Sequence, residues 1–186
     1  MKHSQILRLV SAHYQWEQDK WQQTLETDYV YKKEDSEEIL NEFVFNTKTN
    51  YTFSPKQYVF GVLGYDNDKF RADGDRKVLG VGYGYKLLRT DRMKASNEFS
   101  IATLQTDSIN EAIIRNSLWF FYKVAEKITF TNKFLYEEGS DSDVYIRNET
   151  ALNYNLDSGL VLSLANTYTE DPIDTNVFSF NVGVKW

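Results

Sequence analysis

Along most of this chain, apolar and polar residues alternate one by one. In the closing stretch NVFSFNVGVKW, Phe178, Phe180, Val182, Val184 and Trp186 share one parity, while Ser179, Asn181, Gly183 and Lys185 share the other. In RKVLGVGYGYKLL, Leu79, Val81, Tyr83, Tyr85 and Leu87 oppose Gly80, Gly82, Gly84 and Lys86. Ile39, Phe43, Phe45, Tyr51 and Phe53 oppose Glu42, Asn46, Lys48 and Asn50 in the same way. Val144, Ile146, Leu152 and Tyr154 oppose Arg147, Glu149, Asn153 and Asn155. Successive side chains of a strand point to opposite faces, so a period of two specifies strands with one apolar face. A helix would repeat near 3.6, and no sustained stripe of that spacing is present. The stretch EAIIRNSLWFFYKV fits least well, because both of its faces are partly apolar.

Eleven such segments can be marked, starting near Gln5, Trp21, Ile39, Tyr58, Asp75, Met93, Glu111, Ile128, Val144, Leu160 and Asn176. Spread over 186 residues they recur about every 17. That leaves room for roughly ten strand residues each, more than the five or six usual in globular proteins and suited to a tilted membrane-spanning strand. The connections alternate too. Short ones fall at 17–20, 54–57, 89–92, 125–127 and 157–159, and longer or more polar ones at 33–38, 66–74, 106–110, 139–143 and 171–175. Short turns at one end and longer loops at the other mark an outer-membrane β-barrel, with turns in the periplasm and loops outside. The expected fold is therefore all-β: an antiparallel up-and-down transmembrane barrel of about eleven strands, forming one domain over residues 1–186. Such barrels normally have an even strand number. An odd count also starts the chain outside the cell if it ends in the periplasm. Twelve strands are therefore expected in the intact protein, the twelfth lying before Met1 or unrecognised within the chain, with a signal peptide ahead of them.

A soluble barrel or sandwich would turn its apolar face inward and its polar face to water. Two features favour the inverse. First, Tyr and Trp sit towards segment ends on the apolar faces, at Trp16, Trp21, Tyr51, Tyr58, Tyr83, Tyr122, Tyr154 and Tyr168. Such rings suit a bilayer interface, having an apolar body and a polar tip. Second, the other faces carry charges of both signs, including Glu42, Lys48, Glu98, Arg115, Lys133, Arg147 and Glu149. These are candidate lumen residues, able to form a cross-strand network. A sheet in lipid must close, since an open edge leaves unsatisfied backbone groups. No apolar run approaches the roughly 18 residues of a helical span.

Composition excludes several chemistries. With no cysteine there is no disulfide framework, thiolate metal site or cysteine nucleophile. A formal net charge of −6 disfavours binding to a nucleic-acid backbone. His3 and His13 are the only histidines. His13 lies near Ser11, and outer-membrane lipases and acyltransferases use Ser and His. A triad is defined by geometry, however, and the favoured reading of His13 is a polar wall residue. The acidic stretches KKEDSEE, DNDKFRADGD, EEGSDSD and TEDPID are candidates for divalent cations shared with lipopolysaccharide. None matches an EF-hand loop, and solvated loops rich in turn formers are the favoured reading. No cofactor, catalytic residue or metal site is expected. The glycines at 80, 82 and 84 are expected to permit curvature or close packing.

Three stretches together resemble a known family: WEQDKWQQTLETDYVYKKED, YVFGVLGYDNDKFRADGDRKVLGVGYGYKLLRTD and RNETALNYNLDSGLVLSLANTYTEDP. Asp19, Lys20 and Trp21 form a D-K-W turn opening an aromatic strand. Tyr65, Asp68 and Phe70 precede the glycine-alternating strand of Gly80 to Gly84. Arg147, Glu149, Thr150, Ala151 and Leu152 form an R-x-E-T-A-L strand. These elements resemble the salt-induced outer-membrane proteins of Gram-negative bacteria, a domain family of unknown function numbered 481. The resemblance implies an outer-membrane barrel that is not an enzyme and serves envelope integrity or the response to salt and osmotic conditions. The salt link comes from the resemblance alone, and no catalytic residue is carried over. The last strand also resembles the C-terminal signal of such barrels, read by the outer-membrane barrel-assembly machinery, with Trp186 as its final letter. The expected surroundings are outer-membrane lipids and lipopolysaccharide. Two alternatives stand beside this reading: a narrow channel for ions or small solutes, and a lipid-modifying enzyme around His13. The side to which the even-numbered residues 178–186 point decides between membrane and soluble readings.

Overall fold

The computed structural model describes residues 5–34, 37–69, 74–142, 144–157, 160–170 and 175–184. Among them are eleven strands: β1 (Gln5–Gln18), β2 (Trp21–Glu34), β3 (Glu37–Ser54), β4 (Gln57–Asp68), β5 (Arg76–Arg89), β6 (Met93–Gln105), β7 (Asn110–Lys123), β8 (Ile128–Glu138), β9 (Tyr145–Asn155), β10 (Leu160–Glu170) and β11 (Thr175–Val184). Every strand begins within two residues of its expected start. They form one sheet in chain order, from β1 to β11, with no crossover. An antiparallel meander is what short connections permit, since a parallel pair would need a crossover of a dozen residues or more. The contrast between turns and loops is milder than the sequence suggests, because β3 runs for 18 residues into the region read as a loop. Its register with β2 shifts between Lys32 and Lys33, a bulge that absorbs the extra length.

The chain divides into two compact units. The first comprises residues 1–82 and 101–113, the second 83–100 and 114–186.

In the first unit, β1 to β4 pair in register, so a row of facing residues can be followed across them. His13 faces Glu26, Glu26 faces Asn46, and Asn46 faces Gly64. Rows one residue away hold the opposite face: Tyr14, Leu25, Thr47 and Leu63. Exposure follows this parity. Val10, Tyr14, Trp16, Val59, Leu63, Leu79, Val81 and Ile101 are exposed large apolar residues. Val78, Ala102, Leu104 and Ile113, on the other face, form a buried cluster. Gly80 is needed there. A Cβ on it would lie 2.6 Å from the Ala102 Cβ and 2.9 Å from the Ile101 carbonyl oxygen. This strand therefore approaches its neighbour too closely for a side chain.

In the second unit, β7 to β11 continue the pattern. Phe134, Asn148, Tyr168 and Asn176 fall in one row, and Phe130, Leu152, Leu164 and Phe180 in a parallel one. Leu118, Leu152, Tyr154, Leu164, Phe178 and Phe180 are exposed on that face. The alternate face carries Arg115, Glu137, Lys133, Glu149 and Arg147. The ambiguity of β7 now has a cause. Ile113, Trp119 and Phe121 share the face of Arg115, while Ile114 and Leu118 lie on the exposed one.

Candidate functional site

The charges of the second unit are brought together by register. β7 and β8 set Arg115 opposite Glu137, and the Arg115 Nε donates to Glu137 Oε1 at 2.5 Å. Glu137 is 2% exposed and Arg115 14%, so this pair is largely out of water. Toward the short-turn end, Lys133 faces Glu149 across β8 and β9. Its Nζ lies 4.0 Å from Glu149 Oε2, and Arg147 Nε donates to Glu149 Oε1 at 2.7 Å. Glu149 thus stands between an ammonium and a guanidinium. Lys133 also lies opposite Trp119, whose ring stacks on Phe121 with centroids 6.2 Å apart. Lys94 places its ammonium 5.6 Å from the Phe121 centroid. The cation is drawn to the negative face of the ring. Glu98 falls on the parity of the buried Ser100, and its backbone carbonyl accepts from Asn116 Nδ2 at 3.2 Å. Of the seven charges singled out in the sequence, five therefore lie on this polar face of the second unit: Glu98, Arg115, Lys133, Arg147 and Glu149.

Glu42 and Lys48 belong to the first unit. Glu42 faces Val30 and Asp68, and Lys48 faces Thr24 and Val62. The Lys48 ammonium lies 5.5 Å from the Phe60 centroid. In the same face Asn50 donates through Nδ2 to Gln22 Oε1 at 2.9 Å. His13 Nδ1 is 3.2 Å from Glu26 Oε1, and both side chains are partly exposed. The Ser11 side chain lies outside those described, so the pairing that the structure gives His13 is with a carboxylate.

The interface aromatics divide. Trp21 and Tyr51 pack beside the turns at 19–20 and 55–56, with ring centroids 4.9 Å apart. Trp16 is exposed beside the first of those turns. Tyr122 is the penultimate residue of β7, with the Arg92 guanidinium 5.5 Å from its ring. Tyr154 is exposed near the end of β9, and Tyr168 lies near the far end of β10. Tyr83 is exposed but sits in mid-strand. Tyr58 departs from expectation. It is 5% exposed and on the opposite face from the exposed Val59. In QYVFGVLG both parities are apolar, and alternation cannot choose the outer one. The register of β3 with β4 does so, after a shift between Thr52 and Ser54.

On the closing strand, Phe178 and Phe180 are 73% and 66% exposed. Val182 and Val184 continue their parity opposite Leu162 and Leu160, though their side chains, like all of Trp186, lie outside the described residues. Of the acidic loops, parts of each stretch (35–36, 70–73, 143 and 171–174) lie outside the description. Among the described residues no group of three or more His, Asp or Glu is placed to hold a metal ion. Asp75 instead accepts from the Tyr65 hydroxyl at 2.6 Å and from the Asn67 amide.

Sequence reading missed two features. Glu137 went unnamed because it stands in an acidic stretch read as loop, yet its parity with Lys133 places it on the polar face. The second is polar side chains on the exposed face. Asn132 donates to Asn148 Oδ1 at 2.6 Å and to Thr150 Oγ1 at 2.9 Å, and Asn166 donates to Asn176 Oδ1 at 2.5 Å. Their even parity with Phe130, Leu152, Leu164 and Phe178 was the available signal.

The fold is similar to that of solved outer-membrane proteins. The NanC porin aligns with a TM-score of 0.66 at 11% identity, over 99% of this chain and 96% of that one. The KdgM porin aligns with a TM-score of 0.55 at 10% identity, over 97% of this chain and 99% of that one. A bacterial polysaccharide outer-membrane secretin gives 0.51 at 8% identity, over 97% and 80%. At such identities the likeness concerns the fold: an all-antiparallel strand meander of the porin kind. No curated protein matches the sequence. The family described as "Protein of unknown function, DUF481" matches residues 9–186, and to that family the chain belongs.

Proposed function

We propose that this protein is an integral β-barrel of the bacterial outer membrane whose charged face lines a narrow conduit for ions or small solutes. The observation that carries this reading is the opposition of faces in each unit. In the second unit, exposed Leu118, Leu164, Phe178 and Phe180 occupy one face. The Arg115–Glu137 and Lys133–Glu149–Arg147 network occupies the other. A soluble sheet would bury the first set and wet the second. A spanning one turns the first to lipid and keeps the second for a polar interior. Similarity to porin folds supports the same arrangement.

The exposed apolar face would contact acyl chains and, near the loops, lipopolysaccharide. The shared parity of exposed Phe178 and Phe180 suits a strand read by the barrel-assembly machinery. A non-catalytic role fits best, with His13 as a polar wall residue beside Glu26. The salt or osmotic setting implied by the family resemblance is the physiological context in which to look for a phenotype.

Planar-bilayer recording tests the conduit. Purified protein should give unitary current steps, and Lys133→Glu should move the reversal potential toward cation selectivity in a salt gradient. Lys133 is suited to this because its side chain is about half exposed. A silent protein that is inserted and folded would sink the channel and leave a plugged scaffold. Deacylase or acyltransferase activity lost in His13→Ala would overturn the non-catalytic reading.

A further inference from the structure

The apolar face of the second unit carries asparagines in two arrangements. Asn97 on β6 and Asn116 on β7 form a closed pair. Asn97 Nδ2 donates to Asn116 Oδ1 at 3.3 Å, and Asn116 Nδ2 donates back to Asn97 Oδ1 at 3.4 Å. Each amide also donates to a backbone carbonyl at 3.2 Å, Asn97 to Ser117 and Asn116 to Glu98. Both ends of both amides are therefore used.

The amides on β8 to β11 are left open. Asn132 Nδ2 donates to Asn148 Oδ1 and Thr150 Oγ1, and Asn166 Nδ2 donates to Asn176 Oδ1. Each amide thereby uses one end. Asn132 Oδ1, Asn166 Oδ1, Asn148 Nδ2 and Asn176 Nδ2 make no hydrogen bond among the described residues. Register joins these groups into one patch. Asn132 lies opposite Thr150, and Thr150 opposite Asn166. Asn148 and Asn176 both lie opposite Tyr168, one on each side of it. Thr150 is the middle residue of β9, and Asn132 and Asn166 lie within one residue of the middle of β8 and β10. Exposed Leu152, Leu164 and Phe178 border the patch on the same parity.

We propose that this patch is a dimer interface, in which the open amides of one copy of the chain hydrogen-bond those of a second copy within the membrane. The inference rests on the membrane reading, because in water these groups would need no partner. On a face turned to lipid, the middle of a strand lies in hydrocarbon, beyond the reach of water and headgroups. An amide end left open there is costly, so the partner is another protein surface. The choice of a second copy follows from the balance of the open ends. The patch presents two acceptors and two donors, which makes it complementary to itself. A twofold axis sets carbonyl against amide in both directions at once, as an isologous interface requires. Polar side chains that hydrogen-bond across an otherwise apolar contact join membrane segments in the same way. The closed Asn97–Asn116 pair offers nothing of this kind, although it lies on the same face.

The test is association in a bilayer. The full chain, labelled at its N-terminus with donor or acceptor dye, would be inserted into phosphatidylcholine vesicles over a range of protein-to-lipid ratios. Energy transfer should rise with that ratio along a monomer–dimer isotherm. Asn148→Leu combined with Asn166→Leu should weaken the dimer by about tenfold, at about threefold for each of two symmetry-related bonds lost. Asn97→Leu combined with Asn116→Leu should leave it unchanged. Circular dichroism of the wild type in both double variants would show that the sheet is kept. Cross-linking gives a second measurement that leaves every amide in place. The chain has no cysteine of its own. A short bismaleimide should therefore couple two copies of Leu152→Cys, beside the open amides, and leave Phe99→Cys, beside the closed pair, monomeric. Inserted protein that stays monomeric at every ratio would overturn the dimer and spare the membrane reading. Dimers that ignore the Asn148 and Asn166 changes and couple equally at both cysteines would also overturn it. A folded chain that fails to insert would sink both. Coupling of Leu152→Cys to a different envelope protein in whole cells, with the purified chain monomeric, would give the patch to that partner and overturn the second copy.

Discussion

Arg115 and Glu137 meet at 2.5 Å, with Glu137 only 2% exposed. A carboxylate so far from water is tolerable only while its cation stays. Arg115→Ala is therefore expected to cost about 3–5 kcal/mol, since it takes the guanidinium away from a buried carboxylate. Replacing both partners with leucine should cost far less, because no charge is then left behind. Urea unfolding in lipid vesicles, followed by tryptophan fluorescence, compares the two. Near-equal losses in the single and double variants would show that packing matters there and charge does not. Gly80 makes a second residue-scale case. A methyl group there would enter the space of Ala102 and of the Ile101 carbonyl. Gly80→Ala should cost about 1–3 kcal/mol by overpacking, where Gly82→Ala on the same parity serves as a comparison. The sequence marked Arg115 by alternation and Gly80 by its place in a glycine run. It could not show that Arg115 is nearly dry, because burial depends on which strands flank it.

Strands and turns were the most legible level, because each side chain, apolar on one face and polar on the other, repeats the same instruction at period two. The least legible were the positions where that instruction fails. Tyr58 sits where both parities are apolar, and only pairing with β3 assigns its face. Asn132, Asn148 and Thr150 break the apolar face of β8 and β9 with polar groups. On a face turned to lipid, polar groups would be costly unless they satisfy one another, and these do so through side-chain hydrogen bonds between adjacent strands. Asn132→Ala removes the shared donor and should cost about 1 kcal/mol, in line with hydrogen bonds measured in membranes. A gain in stability would mean that the asparagine is kept for something other than the sheet. The turn between β1 and β2 supplies another element-scale test. Asp19 there has φ of 53°, a left-handed conformation that aspartate tolerates and β-branched residues do not. Asp19→Gly should be near neutral. Asp19→Val should cost about 1–2 kcal/mol and slow formation of the hairpin, measured by refolding into vesicles.

At the scale of the whole molecule, the proposed barrel exchanges the roles that the two faces hold in a soluble sheet, and the exchange can be measured. Val81, Leu164 and Phe180 are each more than half exposed, on strands β5, β10 and β11. If that face meets lipid, an arginine there must be dragged into hydrocarbon, at about 2–4 kcal/mol near the midplane and about 1 or less near the interfaces. If it meets water, the same substitution should change stability by about 0.5 kcal/mol or less, as for ordinary surface positions. Val81→Arg and Leu164→Arg should accordingly lower stability by about 2–4 kcal/mol in lipid vesicles, and Phe180→Arg by an amount set by its depth. Thr167→Arg supplies the contrast. Thr167 lies opposite Glu149 across β9 and β10, on the charged face. An arginine there enters a polar interior and gains a carboxylate neighbour, so little loss is expected. Repeating the series in bilayers of shorter acyl chains should shrink the penalties at positions near the rims first, because thinning moves the interface toward them. A uniform small effect at all four positions would mean that neither face meets hydrocarbon. A large effect at Thr167 and a small one at Leu164 would mean that the faces are reversed, with the charged ladder outside and the phenylalanines within.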